Sequence, residues 1–257
     1  MKIVAMIPAR MAATRFPGKP LALIKGLPMI EHVRRRVQMA KILTEVYVAT
    51  CDEQIKRVVE TAGGKVIMTK DCHERCTDRV AEASDKIDAD IIINVQGDEP
   101  LIMPEMIDAV ARPLVQDNEL YCVNLATPIT DMVEFEDPNA PKLVTDIHGD
   151  VLYISREPIP SQKKTRFLEY LKLKQLGIIS FRHDFLKVFT NLTPTPLEQV
   201  ESVDMMRAVE HGYKVRTAVV KGIMIGVDVP DDVGRVENIL DNDPLLEKYI
   251  KNVKQFH

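Results

Sequence analysis

Residues 90–98 read DIIINVQGD, a nearly continuous apolar run that ends in a glycine and a carboxylate. Such a run, rich in β-branched residues, is typical of a strand that is covered on both faces in a parallel sheet. Similar short runs predict strands at residues 2–7, 45–50 and 65–69, and helical spacing predicts helices at residues 28–41, 53–62 and 77–87. This alternation predicts an α/β protein with a mainly parallel sheet and helices on both sides.

The alternation is interrupted between about residues 131 and 175, where short apolar runs, several prolines and the charged stretch QKKTRFLEYLKLK occur. We interpret residues 131–175 as an insertion with an extended β portion, inside one domain that covers residues 1–257. The charged stretch, residues 162–174, is either a solvated loop or part of a subunit contact. The alternating pattern then resumes, with strands expected at residues 176–181 and 214–220 and helices at residues 196–211 and 230–241.

Length and composition exclude several classes of protein. The chain has 257 residues and a formal net charge of −4, whereas a broad nucleic-acid surface usually requires a basic domain. No apolar run approaches the roughly 18 residues of a membrane span, and residues 1–15 lack the apolar core of a secretory signal. We therefore expect a cytoplasmic protein that neither binds nucleic acid nor inserts into a membrane.

The four cysteines give little indication of a metal site or of disulfides. Residues 71–76, DCHERC, look like half of a zinc site, but no second Cys/His pair stands elsewhere in the sequence to complete a tetrahedron. A chain of this length without a secretory signal also argues against a disulfide framework. We expect reduced cysteines close to a loop.

Three cations follow the first predicted strand. Arg10, Arg15 and Lys19 stand in the loop PARMAATRFPGKP, among small residues that let a ligand approach the backbone. In parallel α/β sheets the loops at the carboxyl ends of strands bind ligands, and converging cations suit a polyanion such as a triphosphate. The loop has neither a Walker GxxxxGK[ST] pattern nor a GxGxxG dinucleotide fingerprint. The alternative interpretation is three solvated surface charges.

Two carboxylates are candidates for binding a divalent metal. Asp98 ends the buried run quoted above, and Asp228 stands in the stretch GVDVPDD. Mg²⁺ takes one or two protein carboxylates and leaves other positions for phosphate and water. In the second stretch a carboxylate can instead cap the following helix. We interpret Asp231 and Asp232 as caps of the following helix, and Asp228 as a metal ligand.

Several long stretches carry a family resemblance. They are IPARMAATRFPGKPL at residues 7–21, NVQGDEP at 94–100, KQLGIISFR at 174–182, PTPLEQVESVDMMRAVEHGYKV at 194–215 and GVDVPDD at 226–232. Together and in this order they resemble the 3-deoxy-manno-octulosonate cytidylyltransferases, also called CMP-Kdo synthetases. The resemblance covers nearly the whole chain.

This resemblance implies a fold, a reaction and an assembly. The implied fold is a three-layer α/β/α mixed sheet of the GT-A-like nucleotidyltransferase type, and the insertion at residues 131–175 would join two subunits in a homodimer. The implied reaction transfers CMP from CTP to the anomeric hydroxyl of a Kdo-like 3-deoxy-2-ulosonic sugar acid. It releases pyrophosphate, uses Mg²⁺ as cofactor and belongs to lipopolysaccharide biosynthesis.

The resemblance also implies roles for individual residues. The residues that would contact the nucleotide are Arg10, Arg15, Lys19, Cys76, Thr77, Arg79 and Gln96. The residues that would contact the sugar acid are Gln96, Arg156, Gln175, Ile179, Asp204 and Met205. Asp98 and Asp228 would hold Mg²⁺, and with Arg10 and Lys19 they form the implied catalytic set.

Several residues that the resemblance implies for contact with the sugar acid depart from the family pattern. Gln175 and Ile179 stand where the family has His and Tyr, Asp204-Met205 stands where it has Glu-Gln, and Cys76 replaces a glycine. His and Tyr can each hydrogen-bond a sugar hydroxyl, whereas Ile179 and Met205 cannot. We therefore expect an acceptor that differs from Kdo itself. The alternative is drift at positions that never touch the sugar.

Two other functional classes remain open. A GT-A glycosyltransferase shares the fold but usually carries a D-x-D metal motif, whereas the strand end here reads Gly97-Asp98-Glu99. A non-catalytic nucleotide-binding protein keeps the cations and loses a metal carboxylate, whereas both Asp98 and Asp228 are present. The sequence contains no Ser/His/Asp or Cys/His constellation that would support a covalent enzyme intermediate, so we expect direct transfer.

Overall fold

A computed structural model describes residues 1–12, 15–73, 75–161, 172–222 and 224–250. The chain forms two compact units, one made of Met1–Asp108 and Ile223–His257 and the other of Ala109–Gly222. The expected insertion, residues 131–175, belongs to the second unit. Most of its charged stretch lies outside the described residues.

The elements are numbered in chain order. The strands are β1 (Ile3–Ala9), β2 (Leu23–Ile24), β3 (Leu27–Pro28), β4 (Glu45–Thr50), β5 (Lys65–Met68), β6 (Ile91–Val95), β7 (Cys122–Pro128), β8 (Lys142–Thr145), β9 (Val151–Ser155), β10 (Leu173–Arg182) and β11 (Val215–Val219). The helices are α1 (Met29–Val37), α2 (Glu53–Thr61), α3 (Cys76–Ser84), α4 (Pro104–Gln116), α5 (Met132–Glu136), α6 (His183–Asn191), α7 (Pro196–Glu201), α8 (Met205–Glu210), α9 (Asp231–Leu240) and α10 (Leu246–Tyr249). Among the helices in the described part of the chain, none combines the length and hydropathy needed to span a membrane.

The strands of the first unit's main sheet run in parallel. β1 pairs with both β4 and β6, and β4 also pairs with β5. Every residue of β1 and β6 is buried, which confirms the prediction of strands covered on both faces. Because these strands point the same way, the loops after β1, β5 and β6 open at one edge of the sheet.

The second unit has a mixed sheet. β7 pairs antiparallel with β10 and parallel with β11, while β8 pairs antiparallel with both β10 and β9. The β8–β9 hairpin comes from the expected insertion. The helix predicted at residues 196–211 is wrong in its extent, because α7 ends at Glu201 and Ser202 adopts a left-handed φ of 53° before α8 begins.

A buried arginine on α1 anchors the segment that follows β6. Arg36 donates to the carbonyl oxygens of Leu101 and Ile102 at 3.2 and 2.6 Å, and it pairs with Asp243. A buried ion pair needs such additional hydrogen bonds, because removing the charges from water is unfavourable. These contacts fix the chain shortly after Asp98.

His32 is buried on α1 and is held in one tautomer. Its Nε2 lies 2.8 Å from the carbonyl oxygen of Ile24, which can only accept, so Nε2 carries the proton. Its Nδ1 accepts from the hydroxyl of Tyr249 at 2.9 Å. Burial lowers the pKa of His32 to about 4, so the folded protein holds a neutral imidazole near pH 7.

The protein is therefore expected to lose stability as the pH falls from 6.5 towards 4. In this window the unfolded chain binds a proton at His32, whose ordinary pKa is 6.5, and the folded chain does not. The free energy of unfolding should fall by about 2 kcal/mol between pH 6.5 and pH 5 through this residue. Urea unfolding at both pH values measures the loss. His32→Gln removes the titrating group, and an equal pH dependence in both proteins contradicts the prediction.

Candidate active site

The first loop leaves β1 and folds back on itself. The main-chain N–H of Gly18 donates to the carbonyl oxygen of Met11 at 3.1 Å, and the φ of Gly18 is 73°, a left-handed value that favours glycine. A 3₁₀ turn, Lys19–Leu21, begins at the next residue. This turn brings Lys19 against the segment that follows β6.

Two carboxylates converge on the ammonium of Lys19. Its Nζ lies 2.8 Å from Oδ2 of Asp98 and 3.5 Å from Oδ1 of Asp228. The guanidinium of Arg15 also contacts Asp228, at 3.0 Å, but this pair is largely exposed. The side chains of Lys19 and Asp98 are only 14% and 33% exposed, so water screens their attraction less. The structure thus brings together four residues that the sequence analysis selected from three separate stretches.

Backbone contacts set the positions of both carboxylates. A Cβ on Gly97 would lie 2.7 Å from the carbonyl oxygen of Pro8, so only glycine lets this segment pass so close to β1. The main-chain N–H of Val227 donates to the carbonyl oxygen of Asp98 at 2.9 Å. This bond ties together the two segments that carry Asp98 and Asp228.

Asp232 shapes the turn that carries Asp228. Its carboxylate accepts from the main-chain N–H groups of Asp228 and Val229 at 2.9 and 3.0 Å. Burial alone would raise the pKa of Asp232, but these hydrogen bonds outweigh it and hold the pKa below its ordinary value. The carboxylate of Asp232 therefore stabilises the turn, while the carboxylate of Asp228 contacts Arg15 and Lys19.

An open cavity of about 220 Å³ lies where β1 ends. Its lining includes Arg10, Lys19, Cys76, Gln96 and Asp98, all of which the sequence analysis selected. The two cations supply positive charge, the Gln96 amide can donate and accept, and Cys76 presents an exposed thiol. A cavity with cations beside a carboxylate suits an anionic ligand that carries a metal ion.

Thr77 and Arg79, which were expected at the nucleotide, are buried, and neither is among the described residues that line the cavity. Arg79 donates to the hydroxyl of Thr69 at 2.6 Å and to the carbonyl oxygen of Lys70 at 3.2 Å. The amide of Asn94 donates to the hydroxyl of Thr77 at 3.4 Å. As placed, Arg79 fixes the loop after β5 and Thr77 fixes α3 against β6.

Three residues that the sequence analysis missed hold the loops around Arg10. The carboxylate of Asp52 accepts from the main-chain N–H of Met11 at 2.9 Å. The carbonyl oxygen of His73 accepts from Arg10 at 3.3 Å, and the His73 imidazole contacts Glu82. Asp52 could have been found, because it follows β4 at the same edge of the sheet. No sequence signal pairs His73 with Glu82.

In the second unit, main-chain groups engage the guanidinium of Arg156. It donates to the carbonyl oxygens of Glu201, Pro138 and Ser202 at 2.6, 2.9 and 3.4 Å. Its own main-chain N–H donates to the carboxylate of Glu201 at 2.8 Å. The residue expected beside the substrate carboxylate thus holds the break between α7 and α8.

The other expected acceptor residues of this unit lie in different environments. Gln175 is half-buried, and its amide donates to Oδ1 of Asn124 at 2.7 Å. Ile179 and Met205 are buried, so as placed they offer a ligand almost no surface. Asp204 is half-buried at the start of α8.

None of the four cysteines, all of which lie in the described part of the chain, forms a disulfide. Burial raises the pKa of Cys51 and raises that of Cys122 much further. Both thiols therefore stay protonated near pH 7, which makes them poor nucleophiles and poor metal ligands.

Asp98 and Asp228 fit a hard divalent ion that shares its coordination with a ligand. Mg²⁺ uses one or two protein carboxylates and completes its shell with phosphate oxygens and water. Within the described ranges, no group of three or more His, Cys, Asp or Glu side chains is placed to hold a metal ion. An ion at this pair of carboxylates would complete its shell with water or with oxygens that a ligand brings.

Known proteins of similar sequence are cytidylyltransferases. The family model "Cytidylyltransferase" matches residues 4–218. The 3-deoxy-manno-octulosonate cytidylyltransferase of Geobacter metallireducens is 46% identical over 245 residues, which cover 92% of this chain and 96% of that protein. These matches confirm the resemblance that the sequence motifs indicate.

Solved structures agree on the fold. A CMP:2-keto-3-deoxy-manno-octonic acid synthetase complexed with CTP has a TM-score of 0.89 and 37% sequence identity, covering 94% of this chain and 99% of that one. A cytidylyltransferase from Leptospira borgpetersenii serovar Hardjo-bovis has a TM-score of 0.65 at 16% identity, covering 99% of this chain and 94% of that one. The second likeness concerns the fold alone, and both confirm the predicted mixed α/β architecture.

Proposed function

The chain belongs to the 3-deoxy-manno-octulosonate cytidylyltransferase family, and on that premise we propose that this CTP-dependent nucleotidyltransferase transfers CMP from CTP to a 3-deoxy-2-ulosonic sugar acid. A bond forms between the anomeric hydroxyl oxygen and the α-phosphorus, and the bond from that phosphorus to the leaving pyrophosphate breaks. The observation that carries the proposal is the convergence of Asp98 and Asp228 on Lys19, beside a cavity that Arg10 lines. A Kdo-like product places the reaction in lipopolysaccharide biosynthesis.

The cations of the first loop bind and orient the triphosphate. Lys19 and Arg15 neutralise carboxylates within the protein, and phosphate oxygens offer both cations partners of higher charge. Arg10 lines the cavity, where its guanidinium also donates to the carbonyl oxygen of His73 at 3.3 Å. Holding the charge of the departing pyrophosphate lowers the barrier to its release.

Asp98 and Asp228 would hold Mg²⁺, which when bound supplies positive charge to the phosphate and lowers the pKa of a coordinated hydroxyl. Transfer of this kind depends on positioning and charge neutralisation more than on covalent help. Gln96 lines the same cavity and can hydrogen-bond the nucleotide or the sugar acid.

Pyrophosphate release tests the proposal and separates it from the two other classes. With CTP, Mg²⁺ and a panel of ulosonic acids, the proposed activity releases one pyrophosphate for each CMP-sugar formed. A glycosyltransferase requires a nucleotide sugar instead, and a non-catalytic protein binds CTP without turnover. ATP, GTP and UTP serve as donor controls. The proposal is overturned if no acid in the panel gives pyrophosphate with CTP.

We expect an acceptor other than Kdo itself to be the best substrate. A site built to hydrogen-bond a hydroxyl strongly rejects an analogue that lacks it, and Ile179 cannot make such a bond. Gln175 and Asp204 keep polar groups that can recognise an altered substituent. The measurement is kcat/KM for Kdo, an 8-amino analogue and other ulosonic acids. A preference for Kdo of tenfold or more, about 1.4 kcal/mol, would contradict this expectation and mean that the substitutions are drift.

We also propose a homodimer formed through residues 131–175. Ile147 and Leu152 of this segment are 96% and 58% exposed, and a subunit contact would remove these apolar side chains from water. Light scattering at micromolar concentration should give twice the monomer mass of 29.1 kDa. Ile147→Asp combined with Leu152→Asp should yield the monomer. A monomeric unaltered protein contradicts the proposal.

A further inference from the structure

The loop that follows β5 contacts Arg10 and is itself held by a carboxylate on α3. The two oxygens of Glu82 accept from the main-chain N–H of Lys70 at 3.0 and 3.2 Å, and Oε2 also contacts Nε2 of His73. The carbonyl oxygen of His73 in turn accepts from Nη1 of Arg10 at 3.3 Å. One carboxylate therefore holds the start of this loop and the residue that the guanidinium contacts.

The contact between Glu82 and His73 is partly shielded from water. Their side chains are 22% and 16% exposed. Burial alone would raise the pKa of Glu82, but the hydrogen bonds from His73 and Lys70 outweigh it and hold the pKa below its ordinary value. The ammonium of Lys86 lies 4.0 Å from the carboxylate and adds a positive charge beside it. Glu82 is thus a charged acceptor near pH 7, which binds its donors more strongly than a neutral one.

On the basis of the function proposed above, we propose that Glu82 is a positioning residue for CTP, which acts through His73 on Arg10. An arginine side chain loses much rotamer freedom when it binds a phosphate. A contact that holds the guanidinium at the cavity beforehand reduces this entropy loss and so strengthens binding. Glu82 is not among the described residues that line the cavity, so its effect on CTP passes through Arg10.

A double-mutant cycle with Arg10 tests this mechanism. Calorimetry with Mg²⁺ present gives the Kd for CTP of the unaltered protein, Glu82→Ala, Arg10→Ala and the double variant. Glu82→Ala is expected to raise the Kd about fivefold, but less than about twofold when Arg10 is already alanine. In turnover, the KM for CTP should rise more than kcat falls.

Two further variants keep the result interpretable. Glu60→Ala removes an exposed carboxylate from α2 and should leave the Kd unchanged. His73→Ala removes the contact from the other side, keeps the bond between Glu82 and Lys70, and replaces Glu82→Ala in the cycle if that variant melts early. Equal weakening in both Arg10 backgrounds, or no weakening, overturns the inference. An unaltered protein that fails to bind CTP overturns the proposed function instead.

Discussion

Asp98→Asn is expected to slow CMP transfer about a thousandfold, and Asp228→Asn to do the same. Both carboxylates contact one ammonium, that of Lys19, and each contributes a charge that an amide of the same shape lacks. A thousandfold loss corresponds to about 4 kcal/mol of transition-state stabilisation. The measurement is kcat/KM with CTP and a ulosonic acid, together with calorimetric titration of Mg²⁺ in the presence of CTP.

Asp231→Asn is the matched control for both variants. Asp231 is exposed in the first turn of α9, close in sequence to Asp228, so the same chemical change there should leave the rate within about twofold. All three variants should fold, because the bond between Val227 and Asp98 involves main-chain atoms alone. Full activity in EDTA, or an unchanged rate in both site variants, contradicts a metal role for these carboxylates.

The edge of the sheet that carries the candidate site is predictable from hydrophobic runs. Such runs locate β1 and β6, and parallel strands end at the same edge. Arg10 and Asp98 must therefore lie near each other, and both line the cavity. The position of Lys19 is harder to foresee, because it depends on the left-handed turn at Gly18.

Contacts between distant segments are not predictable in this way. Arg156 resembles a cation for a substrate carboxylate, yet its guanidinium contacts three main-chain carbonyl oxygens. Ser202 takes a positive φ and divides the helix predicted at residues 196–211. The spacing of apolar residues indicates which side chains are buried. It does not indicate which polar side chain hydrogen-bonds to a distant main-chain group.

Lys19→Ala is expected to weaken CTP binding or transfer by about 2–4 kcal/mol, the scale for losing a charged partner of the substrate, and Arg10→Ala by a similar amount. Calorimetry with CTP and steady-state rates measure the loss. Lys25→Ala is the matched control, because Lys25 pairs with Asp241 at 2.6 Å in the same unit and does not line the cavity among the described residues. Unchanged CTP affinity and rate in both site variants would exclude the first loop as the phosphate site.

Lys19→Ala should weaken the binding of CTP but strengthen the binding of Mg²⁺ alone. The ammonium of Lys19 contacts both Asp98 and Asp228, so a divalent ion that binds these carboxylates without CTP has to displace it. In Lys19→Ala the carboxylate of Asp98 loses its cation, and only the largely exposed Arg15 still contacts Asp228, so an additional positive charge between the two carboxylates is more favourable. Titration of Mg²⁺ alone should therefore show tighter binding to Lys19→Ala than to the unaltered protein, although CTP binds less well. Weaker Mg²⁺ binding to this variant would mean that Lys19 and the ion occupy separate positions.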